Sequence, residues 1–308
     1  MRACCALRSS EDFMDQIFHA RQQRTVAPLS ALRTLPLVGV YIFMVLLCLF
    51  CLAPFIWPIL SAFSVKPENV SGLYLYMPSA WTFQGFDDAI FGRGQALILL
   101  QNSLLTTGGG VGFAVIFSAL GGYTLSRSVF RLKKALMYAF LLIQIIPVTA
   151  TILPFFIIMR ELHLIDSLWG VTIGLTAGQI PFLLWVMKGF FDEVPKELEE
   201  SASLDGATRF QTLWYVIVPL ALPGLGAASV LAFNSAWSAF FMPLILLSSP
   251  DKFVLPLGLF RSIIGYTNID YRMMNAMSII YVLPSFLFFL LARRYLIKGM
   301  MAGAMAGN

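Results

Sequence analysis

Six stretches of the chain run without a charged side chain: between Arg33 and Lys66, Arg93 and Arg127, Lys134 and Arg160, Asp166 and Lys188, Arg209 and Asp251, and Arg272 and Arg293. A helix needs about 20 apolar residues to cross a bilayer core about 30 Å thick, and each stretch is long enough. Period-two alternation is absent within them, which argues against a β-barrel. Only 12% of the residues are charged, half of the roughly 25% that a soluble domain carries. Such a chain cannot cover a surface in water, but it can face lipid. The sequence therefore predicts an all-α membrane protein with six transmembrane helices.

The fifth stretch is the hard one. As a straight helix of about 40 residues it would run to about 60 Å at 1.5 Å per residue. Charge decides between one span and two. With one span, fifteen of the 21 Lys and Arg residues fall on the side that holds both termini and six on the other. Basic residues favour the cytoplasmic side, so both termini are expected in the cytoplasm. Two spans would put the C-terminal basic cluster outside. Pro219, Pro223 and Pro243 are expected to break or bend this span. Pro147, Pro154, Pro181, Pro284 and the run Gly108, Gly109, Gly110 are expected to interrupt others, and broken helices suit transport proteins. The net charge of +5 is read as this topology signal, with no nucleic-acid partner.

The expected organisation is a cytoplasmic N-terminal segment over 1–34, a transmembrane domain over 35–300 and a cytoplasmic tail over 301–308. The spans fall at 37–61, 98–125, 135–158, 168–188, 215–246 and 273–292, with a loop at 191–213. Roughly 30 mostly polar residues precede the first apolar run, too many for a cleavable signal peptide. Within them, Phe13, Ile17 and Phe18 have some amphipathic spacing.

The spans hold no buried acid or base, which argues against an ion-coupled pump. The histidines are His19 and His163, so catalytic chemistry has almost no candidates, and an enzyme is not expected. Cys48 and Cys51 have C-x-x-C spacing, but they lie in an apolar run and lack further ligands. No metal site or cofactor is expected. The polar groups inside the spans are neutral: Asn102, Ser103, Gln144, Gln179, Asn234 and Ser235. They could hydrogen-bond a neutral solute or bridge helices. Asn102, Gln144, Asn234 and Trp237 are the candidate solute path.

One loop differs from the rest. Pro195 suits a first helical turn, Glu197 and its neighbours favour a helix N-terminus, and Asp205 with Gly206 suits a helix end. A short helix, a tight turn and a second helix follow from this. Held rigidly at the membrane face, it forms a knob another protein could grip; an ordinary solvated loop would read the same way.

Glu200, Ser201 and Ala202, followed by Gly206 and then Ile217, Val218 and Pro219, resemble the "EAA" loop of binding-protein-dependent ABC importer permeases. That pattern is Glu-Ala-Ala, three residues, Gly, nine residues and Ile-x-Leu-Pro. Ser201 stands where the first Ala is usual. Asn102-Ser103-Leu104, Gly122-Tyr123, Ser126-Arg127, Ile146-Pro147, Leu153-Pro154, the turn Leu164-Ile165-Asp166-Ser167, Pro181-Phe182 and Val194-Pro195 extend the resemblance over most of the chain, to the carbohydrate, maltose-type branch. Two departures stand out. Trp237-Ser238-Ala239-Phe240 replaces Trp-Asn-Glu-Phe, and the C-terminal Gly303-Ala304-Met305-Ala306-Gly307 lacks the family's lysine.

The resemblance implies a type I ABC importer permease fold in the bacterial cytoplasmic membrane, moving a sugar or oligosaccharide. It implies a second homologous permease, two ATP-binding cassette ATPase subunits and an extracytoplasmic sugar-binding protein as partners, besides membrane lipid. Glu199, Glu200, Ser201, Ala202, Asp205, Gly206 and Ala207 would form the ATPase-coupling loop. The chain has no G-x-x-x-x-G-K-[ST] of its own, so ATP hydrolysis is expected on the partners. A stand-alone secondary transporter of a neutral solute is the alternative.

Overall fold

Residues 37–65, 80–264 and 270–305 are described by a computed structural model. The segment 1–34, with Cys4 and Cys5, and the last tail residues, 306–308, lie outside them. Up to Ile56 the chain forms one unit and from Trp57 a second. The first contributes most of α1 (Leu37–Ala62), apolar along its whole length. Cys48 and Cys51 are free and exposed on it. A helix that is apolar all round belongs in a membrane or a core.

The second unit is helical: α2 (Gln84–Ile90), α3 (Ala96–Arg127), α4 (Lys133–Ile143), α5 (Val148–Glu161), α6 (Leu168–Asp192), α7 (Glu197–Leu204), α8 (Arg209–Thr212), α9 (Val218–Trp237), α10 (Phe241–Leu246), α11 (Leu255–Ile264) and α12 (Tyr271–Met305). Among the described residues, five helical segments are long and apolar enough to cross a membrane, or six when the bent pair α4 and α5 counts as one.

That pair departs from the single span expected at 135–158. α4 and α5 meet at 98°. Pro147 is the cause: it is extended, with φ −64° and ψ 138°, and its ring keeps the residue before it out of the helical region. The span expected at 215–246 also differs. It begins at Arg209, reaches Trp237, breaks, and resumes as α10. Just before Pro219 the chain widens into a π turn over Leu213–Ile217. Proline has no N–H for the carbonyl four residues back and crowds it, and the wider turn accommodates both. Pro181, Pro223 and Pro284 lie inside α6, α9 and α12, where the helices continue.

Gly108 to Gly110 do not interrupt α3 either. Gly109 and Gly110 belong to its packing against α6, while Gly108 faces open space. A Cβ on Gly110 would sit 3.0 Å from the Leu175 Cβ, and one on Gly122 would sit 2.9 Å from the Met187 Cβ. Small residues let two membrane helices approach, and polar side chains then bridge them. Thr176 donates to the Gly110 carbonyl at 3.3 Å, and Ser118 donates to that of Ile180 at 3.4 Å. On α9, Phe233 stacks on Phe288 of α12 at 4.1 Å between ring centroids.

Candidate functional site

The loop after α6 builds a capped helix. Glu197, Glu199 and Glu200 lie in the first turn of α7, where carboxylates complement the helix dipole. Pro195 falls two residues before that turn. The end of α7 is a Schellman motif: the Gly206 N–H donates to the Ser203 carbonyl at 3.1 Å and the Ala207 N–H to that of Ala202 at 3.0 Å. The motif needs a left-handed residue, and Gly206 supplies it with φ +84°. Two residues on, Thr208 and Gln211 form a capping box that starts α8. Asp205 is exposed. Ser201, in an alanine's usual place, turns its hydroxyl onto the Glu197 carbonyl at 2.8 Å and so acts as a small residue.

This helix is bolted down on one side. Glu199 is ion-paired with Arg127, the last residue of α3, and accepts from the Tyr123 hydroxyl at 3.0 Å. Arg127 also donates to the Val194 carbonyl at 2.9 Å and to Ser126 Oγ at 3.2 Å. Ser126 in turn donates to Asp192 at 2.6 Å, which pairs with Lys188. Lys133 caps the end of α3, donating to the carbonyls of Ser126 at 3.3 Å and Ser128 at 3.1 Å. Phe191 is fully buried and meets Tyr123 edge-on at 5.8 Å. The other side of the loop is open: Glu197, Glu200 and Ser201 are exposed, and Leu204 is 89% exposed.

The sequence reading weighted Glu200, yet Glu199 is the residue that points inward. It also missed the roles of Tyr123, Ser126, Lys188 and Asp192. Arg127 and Glu199 are 72 residues apart, and no local pattern joins them.

The four residues of the candidate solute path are scattered. Asn102 is buried and donates both amide protons to backbone, to the Asp251 and Phe253 carbonyls at 2.9 Å each. Beside it, Ser103 Oγ accepts from the Leu255 N–H at 2.7 Å. Asn102 therefore fastens α3 to the segment entering α11. Trp237 is 3% exposed, donates to the Tyr281 carbonyl at 3.1 Å and stacks on Phe233 and Tyr281. Its ring is core and has no free face for a solute. Gln144, at the α4–α5 bend, and Asn234, on α9, are exposed.

At the other end of α6, about 37 Å away for its length, Asp166 orders the opposite turn. Its backbone is left-handed, φ 54°. Its carboxylate accepts from the Ser248 and Ser249 N–H groups at 2.9 Å and pairs with Lys252 at 2.8 Å. Lys252 and these donors hold the carboxyl well below the usual carboxylate range, and the same contact raises the Lys252 ammonium. Ser167 then caps α6, accepting from Trp169 at 3.2 Å. Among the described residues no group of His, Cys, Asp and Glu could hold a metal ion.

The architecture has known counterparts. The family model described as "Binding-protein-dependent transport system inner membrane component" matches residues 110–300. A probable ABC transporter permease protein of Pyrococcus horikoshii is 31% identical over 255 residues, covering 81% of this chain and 90% of that protein. A diacetylchitobiose uptake system permease of Streptomyces coelicolor is 29% identical, over 82% of this chain and 91% of its own length. A maltodextrin transport system permease of Bacillus subtilis is 28% identical, over 90% of this chain and 99% of its own. Among solved structures, a bacterial ABC transporter importing the polysaccharide alginate superposes with TM-score 0.73 at 24% identity, covering 84% of this chain and 95% of that one. An alginate transporter complexed with a pentasaccharide-bound periplasmic protein gives 0.58 at 17% identity, covering 83% and 92%. The chain therefore belongs to the family of binding-protein-dependent transport system inner membrane components, permease subunits of ABC transporters that cross the cytoplasmic membrane several times and are not themselves enzymes.

Proposed function

We propose that this permease imports a sugar or oligosaccharide, and that α7 is the part its ATPase subunits grip. The attachment of α7 through Glu199 to Arg127 and Tyr123 carries the reading. A push on a free loop would bend the loop. A push on α7 is passed to α3 through Glu199 and to α6 through the Ser126–Asp192 contact. α3 and α6, packed glycine to side chain, then move together.

The seven coupling residues divide in two under this reading. Glu199, Ala202, Gly206 and Ala207 set the shape and seat of the helix. Glu200, Ser201 and Asp205 face the partner, with Leu204 beside them. The charge bias of the sequence puts this face, and both termini, in the cytoplasm. The partners in this reading are the two ATPases and second permease that the family resemblance implies, with an extracytoplasmic binding protein of the kind found on the alginate transporter. The chemistry named for the relatives, diacetylchitobiose and maltodextrin, favours a carbohydrate. Gln144 and Asn234, exposed and polar, remain the candidates for its hydroxyls. A stand-alone secondary transporter, the alternative reading, falls with the family membership.

The test is uptake of labelled maltodextrins and chitobiose derivatives into vesicles carrying the whole complex, with and without ATP on the cytoplasmic side. ATP-dependent uptake of one carbohydrate, lost in Gly206→Asp, is expected. Uptake that persists without ATP, or that survives this substitution with ATPase subunits still bound, would sink the reading.

A further inference from the structure

A cleft of about 570 Å³ lies between the end of α3 and the start of α8, lined by residues including Leu120, Thr124, Arg127, Ser203, Arg209 and Phe210. We propose that it holds the headgroup phosphate of an anionic phospholipid from the leaflet facing α7. The proposal rests on the reading of α7 as a helix at the membrane face.

The cleft starts inside the span. Leu120 lies seven residues before Arg127, so the floor reaches about 10 Å along α3. That end is apolar, with Leu120 and Leu213, and the far end is cationic. Glu199 is the carboxylate of the lining, and it is already engaged by Arg127 and Tyr123. Arg127 uses one proton on each of its three nitrogens, which leaves two of a guanidinium's five. Arg209 is exposed and forms no ion pair among the described residues. The cleft thus has net positive charge and free guanidinium donors at one end and hydrocarbon at the other.

The helix beside it carries the side chains of a membrane boundary. Phe210, Trp214 and Tyr215 are 65%, 47% and 80% exposed, and Phe210 meets Trp214 edge-on at 6.1 Å. Aromatic residues of this kind settle at headgroup level, and basic pockets between membrane helices suit anionic headgroups. A choline headgroup would bring its own cation to Arg209. A phosphatidylglycerol headgroup would not.

The experiment uses the whole complex in nanodiscs of phosphatidylcholine and phosphatidylglycerol in equal parts, with retained lipid counted by native mass spectrometry. The wild type should keep phosphatidylglycerol under activation that strips phosphatidylcholine. Arg209→Gln removes a charge-assisted contact, and retention should fall about tenfold. Thr124→Trp, which fills the cleft from an exposed position, should do the same, and Arg131→Gln, outside the lining, should not. Equal retention of the two lipids, or unchanged retention in both cleft variants, would overturn the proposal. Displacement of the lipid by millimolar inorganic phosphate would make this a phosphate site and overturn it too. So would loss of ATPase or permease partners from Arg209→Gln with lipid retained, which would give the cleft to a protein. The coupling reading is judged separately on the same preparations: Gly206→Asp should release the ATPase subunits whatever the lipid count.

Discussion

Arg127 and Glu199 join the last residue of a membrane helix to the first turn of the loop helix, and their side chains are 14% and 17% exposed. Removing one charge leaves the other nearly buried without compensation, which costs about 3 kcal/mol. Glu199→Gln should keep ATPase subunits bound, because the outer face of α7 is untouched, but should lower the transport obtained per ATP. Glu200→Lys should do the opposite and lose ATPase subunits on purification. Arg127→Lys should resemble Glu199→Gln, since an ammonium cannot reproduce the guanidinium fork that reaches Glu199, Val194 and Ser126. Equal phenotypes at 199 and 200 would contradict this division.

Gly206 is tested by conformation rather than size, since a Cβ there meets nothing within 4 Å. An L-residue in the left-handed region is strained by roughly 1–2 kcal/mol, and Asn tolerates it best. Transport should therefore fall in the order wild type, Gly206→Asn, Gly206→Ala, Gly206→Val. An order that follows side-chain volume alone, with Ala better than Asn, would show that contact with a partner governs the site.

The glycines of α3 separate cleanly. A Cβ on Gly122 would press on Met187 and on the Lys188 nitrogen, whereas Gly108 and Gly112 face open space. Gly122→Leu should destabilise the complex by about 1–3 kcal/mol or more, the range for overpacking. Gly108→Ala should not lower the melting temperature in detergent, since its Cβ meets nothing and Ala favours helix over Gly.

Trp237 distinguishes core from solute path. Truncating a buried Trp costs about 3–5 kcal/mol. Trp237→Phe should lower the melting temperature and leave the KM for transport unchanged. Asn234→Ala should change KM and leave the melting temperature alone. A raised KM for Trp237→Phe at unchanged stability would return Trp237 to the solute.

Hydropathy reaches the spans because the lipid constraint acts on every residue of a helix, and the loop helix is legible because its caps are local: Gly206, Thr208 and Gln211 sit within six positions of one another. What stayed hidden is long-range. Nothing in the spacing tells Glu199 from Glu200; the choice depends on which side of α7 meets Arg127. Asn102 looked like a solute ligand because a polar group in a span fits either role, and its donors find backbone near Phe253, 151 residues away. The glycine run in α3 looked like a break because close packing and flexibility call for the same residue.

Asp166 gives the last prediction, and its sign follows from its partners. Its carboxyl lies well below the ordinary carboxylate range in the folded chain because Lys252, Ser249 and Ser248 all stabilise the anion. A depressed carboxylate contributes stability that is fully present above its unfolded pKa, about 3.9, and is lost as pH falls toward the folded value. Asp166→Asn cannot form the Lys252 pair at any pH. The variant should therefore melt below wild type at neutral pH, and the gap should narrow as pH is lowered below about 4. Thermal melts of the detergent-solubilised complex at pH values on both sides of 4 read this directly. A gap that stays constant through that window would mean that the turn is held by the left-handed backbone of Asp166 and the Leu246 carbonyl, to which its N–H donates at 2.7 Å, with the charge contributing nothing.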